Sequence, residues 1–480
     1  MSKTTRRTFL KTSLAAGSLF AIGGCQSTPR ILGANDRLRI AVAGVHGRGG
    51  SHINNWLGQD NVEVAYLIDP DERVLAGKLD YVKRKTEGKS TCQGVADVRE
   101  ALEDKNLDAI SIATPNHWHS LMTIWAAQAG KHVYVEKPMS HDIAEGRVAV
   151  EAQKKYGVVI QHGTQSRSKA RNAGLHDLIR SGKFGKMKIS YGYCCKPRGG
   201  IGFESPSAPP ANLDWNLWRG PAVIDQYHAN YVHYDWHWFW ETGNGDIGNS
   251  DVHRADLVRF GLGVTKLPRA TMCYGGRFGY SDSAQTPNTQ VAVHDFGDVT
   301  FVQEVRGLPT SKFHRHGGAI FAGSGGYVGM AAGSSAFFDR NGKLVEKFAG
   351  KNDEHFGNFI EAVHSRDRDH LNAEVLGGHL SAGLCHLGNI SYRLGSQAAP
   401  REVLAQLAER KLFDDSEDTF ERTRKHLADN GVDIEKTSLT AGPWLRFDAD
   451  EEAFIGNAEA DAMLTREYRN PFVVPNENEV

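Results

Sequence analysis

A strand that runs into a glycine-rich turn and re-emerges as a helix leaves a chain few folds to choose from. Residues 38–42, L-R-I-A-V, form an apolar run with β-branched residues, as expected of a buried parallel strand. The run enters G-V-H-G-R-G-G at residues 44–50, and Ile53, Trp56 and Leu57 then recur at helical spacing. A second strand at residues 62–68 ends in Asp69. Strand, glycine loop, helix, strand and terminal acid, in that order, describe a dinucleotide-binding half-domain. The glycines let the backbone approach a pyrophosphate, and a helix amino end favours its charge. Gly44, His46, Gly47, Arg48 and Gly49 are therefore cofactor-binding candidates. In the usual G-x-G-x-x-G the middle glycine would fall at His46, and Gly47 comes one place late. Asp69 suits the hydroxyls of an adenosine ribose, and its charge opposes a 2′-phosphate. The expected cofactor is NAD rather than NADP.

The next unit repeats the pattern. Residues 109–113, A-I-S-I-A, read as a short buried strand that ends in T-P-N-H-W-H, followed by an apolar helix to Ala129. Residues 133–135 form another strand, ending in E-K-P at residues 136–138. A helix over 143–156 and a strand over 158–162 complete the domain, expected to span residues 37–162. In a doubly wound sheet, ligands lie beyond the carboxyl ends of the strands. Thr114, Pro115, Asn116 and His119 should therefore converge with Glu136 and Lys137 on one crevice.

The E-K-P tripeptide after V-Y-V resembles the signature of the Gfo/Idh/MocA oxidoreductases, the glucose–fructose oxidoreductase and inositol dehydrogenase group. A-T-P-N-H-W-H, G-T-Q-S-R at residues 163–167, L-D-W-N-L-W-R-G-P at 213–221 and G-N-G-D-I-G-N-S-D-V-H-R-A-D at 243–256 add to the likeness, which covers roughly residues 37–400. The resemblance implies an α/β chain: a Rossmann domain, then an α/β domain with a large, mostly antiparallel open sheet. It implies NAD(P) and hydride transfer at a sugar or polyol carbinol. By position, Lys137 matches the lysine that lies beside the nicotinamide and contacts the reacting oxygen, and Gln165 falls in a motif near the cofactor. His253 matches the histidine that serves as general acid or base, a role suited to imidazole near neutrality. Many relatives carry an acid four residues before that histidine, where this chain has Asn249. An amide can orient a hydroxyl but cannot exchange a proton. Asp256, three residues after His253, shares its helical face. It either orients the imidazole or pairs structurally. The open sheet face implies a homo-oligomer, a dimer or tetramer.

The expected substrate domain, residues 163–400, has a composition suited to sugars. Y-V-H-Y-D-W-H-W-F-W spans residues 231–240. Indole faces stack on sugar C–H surfaces, and Trp218, Tyr231 and Trp236, with Lys137 and His253, are the substrate-binding candidates. The alternative for these rings is a core cluster. His233 and His237 lack a clear third ligand, so no metal is expected. Short β-rich runs at 189–195, 269–273, 290–296 and 299–305 fit a meandering sheet. Helices are expected over 353–365 and 378–394, and residues 401–480 read as an α-rich appendage.

Composition bears on where the chain works and on what. Lys+Arg is 56 and Asp+Glu is 57, without the basic excess of a nucleic-acid protein. T-T-R-R-T-F-L-K at residues 4–11 matches the twin-arginine export pattern, and the mildly apolar residues 12–24 fit a signal-peptide core. I-G-G-C ending at Cys25 fits either a lipoprotein cleavage box or a plain tether; a lipid on Cys25 is the one membrane attachment expected. Without Cys25 five cysteines remain, an odd number with no C-x-x-C, so neither disulfides nor a zinc cage is expected. A periplasmic enzyme meets no pool of free NAD, so its nucleotide should travel bound and be recycled. Three readings stay open: a sugar, polyol or glycoside oxidoreductase, which leads; a redox-neutral glycoside-cleaving or epimerising enzyme that uses transient oxidation; and a non-catalytic sugar-binding lipoprotein.

Overall fold

A computed structural model describes residues 37–310, 318–331, 334–348, 354–410, 412–414 and 416–480. The twin-arginine stretch and Cys25 lie outside the described residues. The first domain carries β1 (Leu38–Ala43), α1 (Arg48–Leu57), β2 (Val62–Ile68), α2 (Glu72–Lys85), β3 (Gln93–Val95), α3 (Val98–Leu102), β4 (Ala109–Ile112), α4 (Asn116–Gln128), β5 (His132–Val135), α5 (Ile143–Tyr156) and β6 (Ile160–His162). Its six strands are all parallel in the order β3-β2-β1-β4-β5-β6. Strand addition reverses between β1 and β4, so the crevice opens above their carboxyl ends. Apolar strands such as β4, buried along its whole length, need cover on both faces. A later helix supplies part of it: α9 (His355–Ser365) comes after the second domain's strands, yet its Phe356 and Phe359 pack into the Leu38, Trp56 and Tyr134 core.

The second domain holds α6 (Ala170–Arg180), β7 (Met187–Cys195), α7 (Trp215–Arg219), α8 (Val252–Leu262), β8 (Ala270–Gly276), β9 (Thr289–Asp295), β10 (Thr300–Arg306), β11 (Gly318–Gly323), β12 (Gly326–Ala331), β13 (Ser334–Asp339), β14 (Leu344–Phe348) and α10 (Val375–Arg393). With β15 (Ser396–Ala398) and β16 (Leu439–Ala441), the sheet runs β14-β13-β12-β11-β7-β10-β9-β8-β16-β15, antiparallel except where β7 meets β10. Helices α6, α8 and α10 cover one face, around Phe301, Phe321 and Val258.

Residues 401–480 carry α11 (Pro400–Ala408) and α12 (Ser416–Asp429), and also strands. β16 and β17 (Leu445–Asp448) both pair with β8, and β17 also pairs with β18 (Ala453–Phe454), so the segment is only partly α-rich. The mixed character has a physical reason. The outer face of β8, β9 and β10 is apolar, and Val403, Leu407, Phe420 and Leu427 of α11 and α12 bury against Met272, Tyr274, Val291 and Val302. Each such side chain contributes roughly 1.5–3 kcal/mol by leaving water. The face expected at a subunit interface is thereby covered in part by the chain itself. The tail then returns to the first domain. Arg466 donates to the carbonyls of His117 and Glu241, Arg469 donates to that of Gly220, and Phe472 packs edge-on to Trp118.

Candidate active site

The glycine loop is shaped by close approach. Gly44 has φ +75°, and a Cβ there would lie 2.7 Å from Thr114 Cα; one on Gly49 would lie 2.0 Å from the Gly44 carbonyl oxygen. Both positions therefore exclude larger residues. A Cβ on Gly47 would meet open space, and no side chain caps the amino end of α1 behind it. An anionic group is well matched to that uncapped helix end. Asp69 accepts from the Val45 amide at 2.9 Å and from the Asp71 amide at 3.0 Å, and burial pushes its carboxyl up to about 6. Its carboxylate thus braces the loop while still lining the cavity. His46 stacks on His233 with ring centroids 4.4 Å apart, and His233 Nε2 lies 3.1 Å from Asp71 Oδ2.

Glu136 sits between the loop and the strand ends. Its Oε1 accepts from Arg48 Nε at 2.6 Å and lies 3.0 Å from His52 Nε2, with Gln165 Nε2 at 3.3 Å. Burial alone would raise its pKa; the His52 hydrogen bond and the Arg48 charge outweigh that and hold the carboxyl well below its ordinary value. Glu136 and Arg48 both line the cavity, whereas Gln165 stands behind Glu136 and does not. His119 has Nδ1 2.7 Å from the Pro138 carbonyl and Nε2 2.9 Å from that of Thr114, tying the two strand-end loops together.

Lys137 leaves the end of β5 and crosses to the second domain. Its Nζ donates to the Asn249 carbonyl at 2.7 Å and to Asn249 Oδ1 at 3.0 Å. Burial, helped by the Lys196 and Arg48 charges and opposed by Glu136, brings the ammonium down to about 8. Asn249 lies in an irregular turn of helix, Ile247–Asp251, that feeds α8. His253, on the first turn of α8, faces the same cavity. Burial, then the Lys137 and Arg254 charges, push the imidazole down to about 3, so it is neutral at pH 7.

Asp256 is a correction to its candidate catalytic role. Its carboxylate receives Arg167 Nε at 2.9 and 3.0 Å, Arg167 Nη2 at 2.7 Å and Ser381 Oγ at 2.7 Å. It is fully buried outside the cavity wall, and of the two readings the pairing one fits. Tyr231 is also displaced. It packs inside the cluster of Trp218, Tyr227 and Phe239 and does not reach the cavity; Tyr234 lines it instead, together with Trp218, Trp236 and His237. His237 stacks on Trp236 with centroids 3.6 Å apart.

Gly44, His46, Gly47 and Arg48 of the glycine loop, Asp69, Glu136, Lys137, Asn249, His253 and the rings of Trp218, Tyr234, Trp236 and His237 surround one cavity of 670 Å³ that joins the glycine loop to the aromatic wall. Thr114, Pro115, Asn116 and His119 line it too. Lys196 and Arg254 carry no signal in the sequence that marks them for the cavity, while His233, Tyr234 and His237 belong to the aromatic run whose polar groups suit sugar hydroxyls but are not singled out there as site residues. Away from the cavity, His141, Asp142 and Glu145 bring ligand atoms within 4.8 Å of one another. Asp142 caps α5 through the Glu145 amide, and Arg466 lies 3.3 Å from Glu145, supplying positive charge there.

The model of the oxidoreductase family with an NAD-binding Rossmann fold matches residues 38–164, and that of the family's C-terminal α/β domain matches residues 198–270. Over those two stretches the chain is similar to the Gfo/Idh/MocA oxidoreductases. Its first domain is an NAD-binding Rossmann domain, and the open glycine cradle and uncapped α1 fit that nucleotide. The chain is similar to scyllo-inositol 2-dehydrogenase (NAD(+)) of Bacillus subtilis strain 168, 33% identical over 37% of this chain and 47% of that protein. It is also similar to a glycosyl hydrolase family 109 protein of Shewanella baltica strain OS195, 27% identical over 32% and 34%. The alignments thus span less than half the length of these curated relatives. In fold it is similar to the WlbA dehydrogenase of Bordetella pertussis, solved with NADH and UDP-GlcNAcA: TM-score 0.54, 19% identity, 73% of this chain and 95% of that one.

Proposed function

We propose that this Gfo/Idh/MocA oxidoreductase transfers a hydride at a hydroxyl-bearing carbon of a sugar, polyol or glycoside, with a tightly held NAD that is recycled in place. The observation that carries this reading is the bridge from Lys137 Nζ to Asn249, which sets an ammonium beside His253 in the cavity that begins at the glycine loop. When bound, the nicotinamide supplies the hydride acceptor. Neutral His253 takes the hydroxyl proton, and Lys137 stabilises the negative charge that develops on the oxygen. Trp218 and Trp236 give the ring an apolar face and narrow the space left to water. Export by the twin-arginine route, with folding before translocation, accounts for a nucleotide that travels bound.

A redox-neutral reading is kept alive by Asn249 and by the similarity to family 109 glycosyl hydrolases. It needs the same Lys137 and His253 with return of the hydride within one turnover. One experiment addresses both. The purified protein is read by ultraviolet absorption for bound nucleotide, then mixed anaerobically with sugars and aryl glycosides. Growth of the reduced-nicotinamide band with a keto product supports the oxidoreductase. Release of aglycone without net reduction supports the second reading. Absence of bound or bindable nucleotide refutes both.

A further inference from the structure

The two walls of the cavity differ in charge. All the acidic residues that line it, Asp69, Asp97 and Glu136, come from the Rossmann domain. The second domain contributes Lys196 and Arg254 and, among the described residues, no acid. A pocket that reads only neutral sugar hydroxyls gains from carboxylates, which accept from two hydroxyls at once. This wall has none, although acids lie close behind it. Asp246 is consumed by Arg198, at 2.7 and 3.1 Å, and by Ser250 Oγ at 3.2 Å. Asp251 is fully buried beneath the wall.

Strand geometry aims the lysine inward. Cys194 and Lys196 are two apart at the end of β7, on one face by the period of a strand, and both line the cavity. The Lys196 main-chain amide is fixed to the Arg306 carbonyl at 3.0 Å, and no acid among the described residues pairs with its ammonium. Arg254 follows His253 on the first turn of α8, and it lines the same cavity as His253 and Lys196.

Resting on the hydride-transfer reading above, we propose that the substrate is an anionic sugar, whose negatively charged substituent is held by Lys196 and Arg254 while its reacting hydroxyl faces Lys137 and His253. A carboxylate or a phosphate on the sugar would suit the Lys196 ammonium, with the Arg254 charge adding to the attraction. Lys196 is here a specificity-determining residue. Its charge also reaches Lys137, whose ammonium it helps to depress, so an anion bound beside it would further favour the charged form of Lys137.

The test uses the full chain loaded with NAD and isothermal titration with D-glucuronate, D-galacturonate, D-glucose 6-phosphate, D-glucose and D-galactose. At least one anionic sugar should bind about tenfold more tightly than its neutral counterpart, the size of one charge-assisted hydrogen bond. That advantage should shrink with added salt. In Lys196→Met it should fall to about twofold. Preference for the uronates over the sugar phosphate identifies the carboxylate as the source, and the reverse identifies the phosphate. Neutral sugars binding as tightly as the anionic ones, no binding by any anionic sugar, or a preference that survives in Lys196→Met would overturn the proposal. If neutral sugars reduce the bound nucleotide while the anionic ones do not bind, the inference fails and the oxidoreductase reading stands. An anionic sugar that binds through Lys196 but is never turned over counts against the oxidoreductase reading alone.

Discussion

Lys137 Nζ lies 2.7 Å from the carbonyl oxygen of Asn249 and 3.0 Å from its side-chain oxygen, so one residue of the second domain holds the ammonium that the first domain delivers. A neutral amide at 249 positions that ammonium without neutralising it. Asn249→Asp would place an anion at the same distance and favour the charged lysine. The alkaline limb of the rate profile, set by Lys137 near pH 8, should move upward by about one unit. An unchanged limb in the pH–rate profile would show that Lys137 does not control it.

The Arg167–Asp256 pair makes a stability prediction. Both side chains are buried, and Arg259 Nη2 lies 3.9 Å from the same carboxylate. Asp256→Ala leaves two guanidinium groups without their anion, which costs about 3–5 kcal/mol. Urea unfolding should show that loss. The folded fraction should keep the shape of the parent's pH–rate profile, because Asp256 acts on His253 only through its charge, and less than Lys137, Arg254 or Glu136 do. An altered profile would return Asp256 to the catalytic group.

Buried histidines predict acid lability. Burial pushes His117, His162, His176, His237 and His386 down to about 3, and His132, His294 and His355 down to about 4. Above pH 6.5 each is neutral folded and unfolded, so nothing is lost. Between 6.5 and 3–4 the unfolded chain binds more protons, and stability falls as pH falls, by about 1.4 kcal/mol per unit for each group. Asp69 and Asp251, raised by burial to about 6 and about 7, act the other way on acidification but are fewer. The urea midpoint should drop steeply from pH 7 to pH 5. A midpoint that holds or rises over that range would contradict this.

Much of the site was legible because its parts are local. The glycine loop is a strand, a turn and a helix within 20 residues, and Gly49 is dictated by a distance inside that unit, while Gly44 combines a positive φ with the approach of Thr114 from the next strand end. E-K-P follows its strand directly. What could not be read depends on partners far along the chain. Asp256 meets Arg167 across 89 positions, and nothing in D-V-H-R-A-D announces that partner. Tyr231 and Tyr234 sit in an aromatic run with neither helical nor strand period. Short turns at Ala229–Tyr231 and Asp235–Trp238 decide that the second ring, and not the first, faces the cavity. The strands β16 and β17 were hidden for a similar reason: three- and four-residue segments take their structure from the β8 edge they pair with.

The proposed twin-arginine export makes a prediction for residues outside the described structure. Replacing Arg6 and Arg7 with lysine should leave the protein in the cytoplasm with its signal segment attached. Cell fractionation and the mass of the recovered chain check this. Undiminished export of that variant would remove the twin-arginine reading.

The central claim is that His253, in the cavity shared with the NAD loop, moves the proton of the reacting hydroxyl. The most direct measurement is the turnover of His253→Ala on an identified substrate, with nucleotide content and chemistry as the slow step both verified. The account predicts full retention of NAD with a loss of about 10²–10⁴-fold in kcat, while the limb set by Lys137 near pH 8 persists in the residual activity. Near-parental turnover with NAD in place would contradict it.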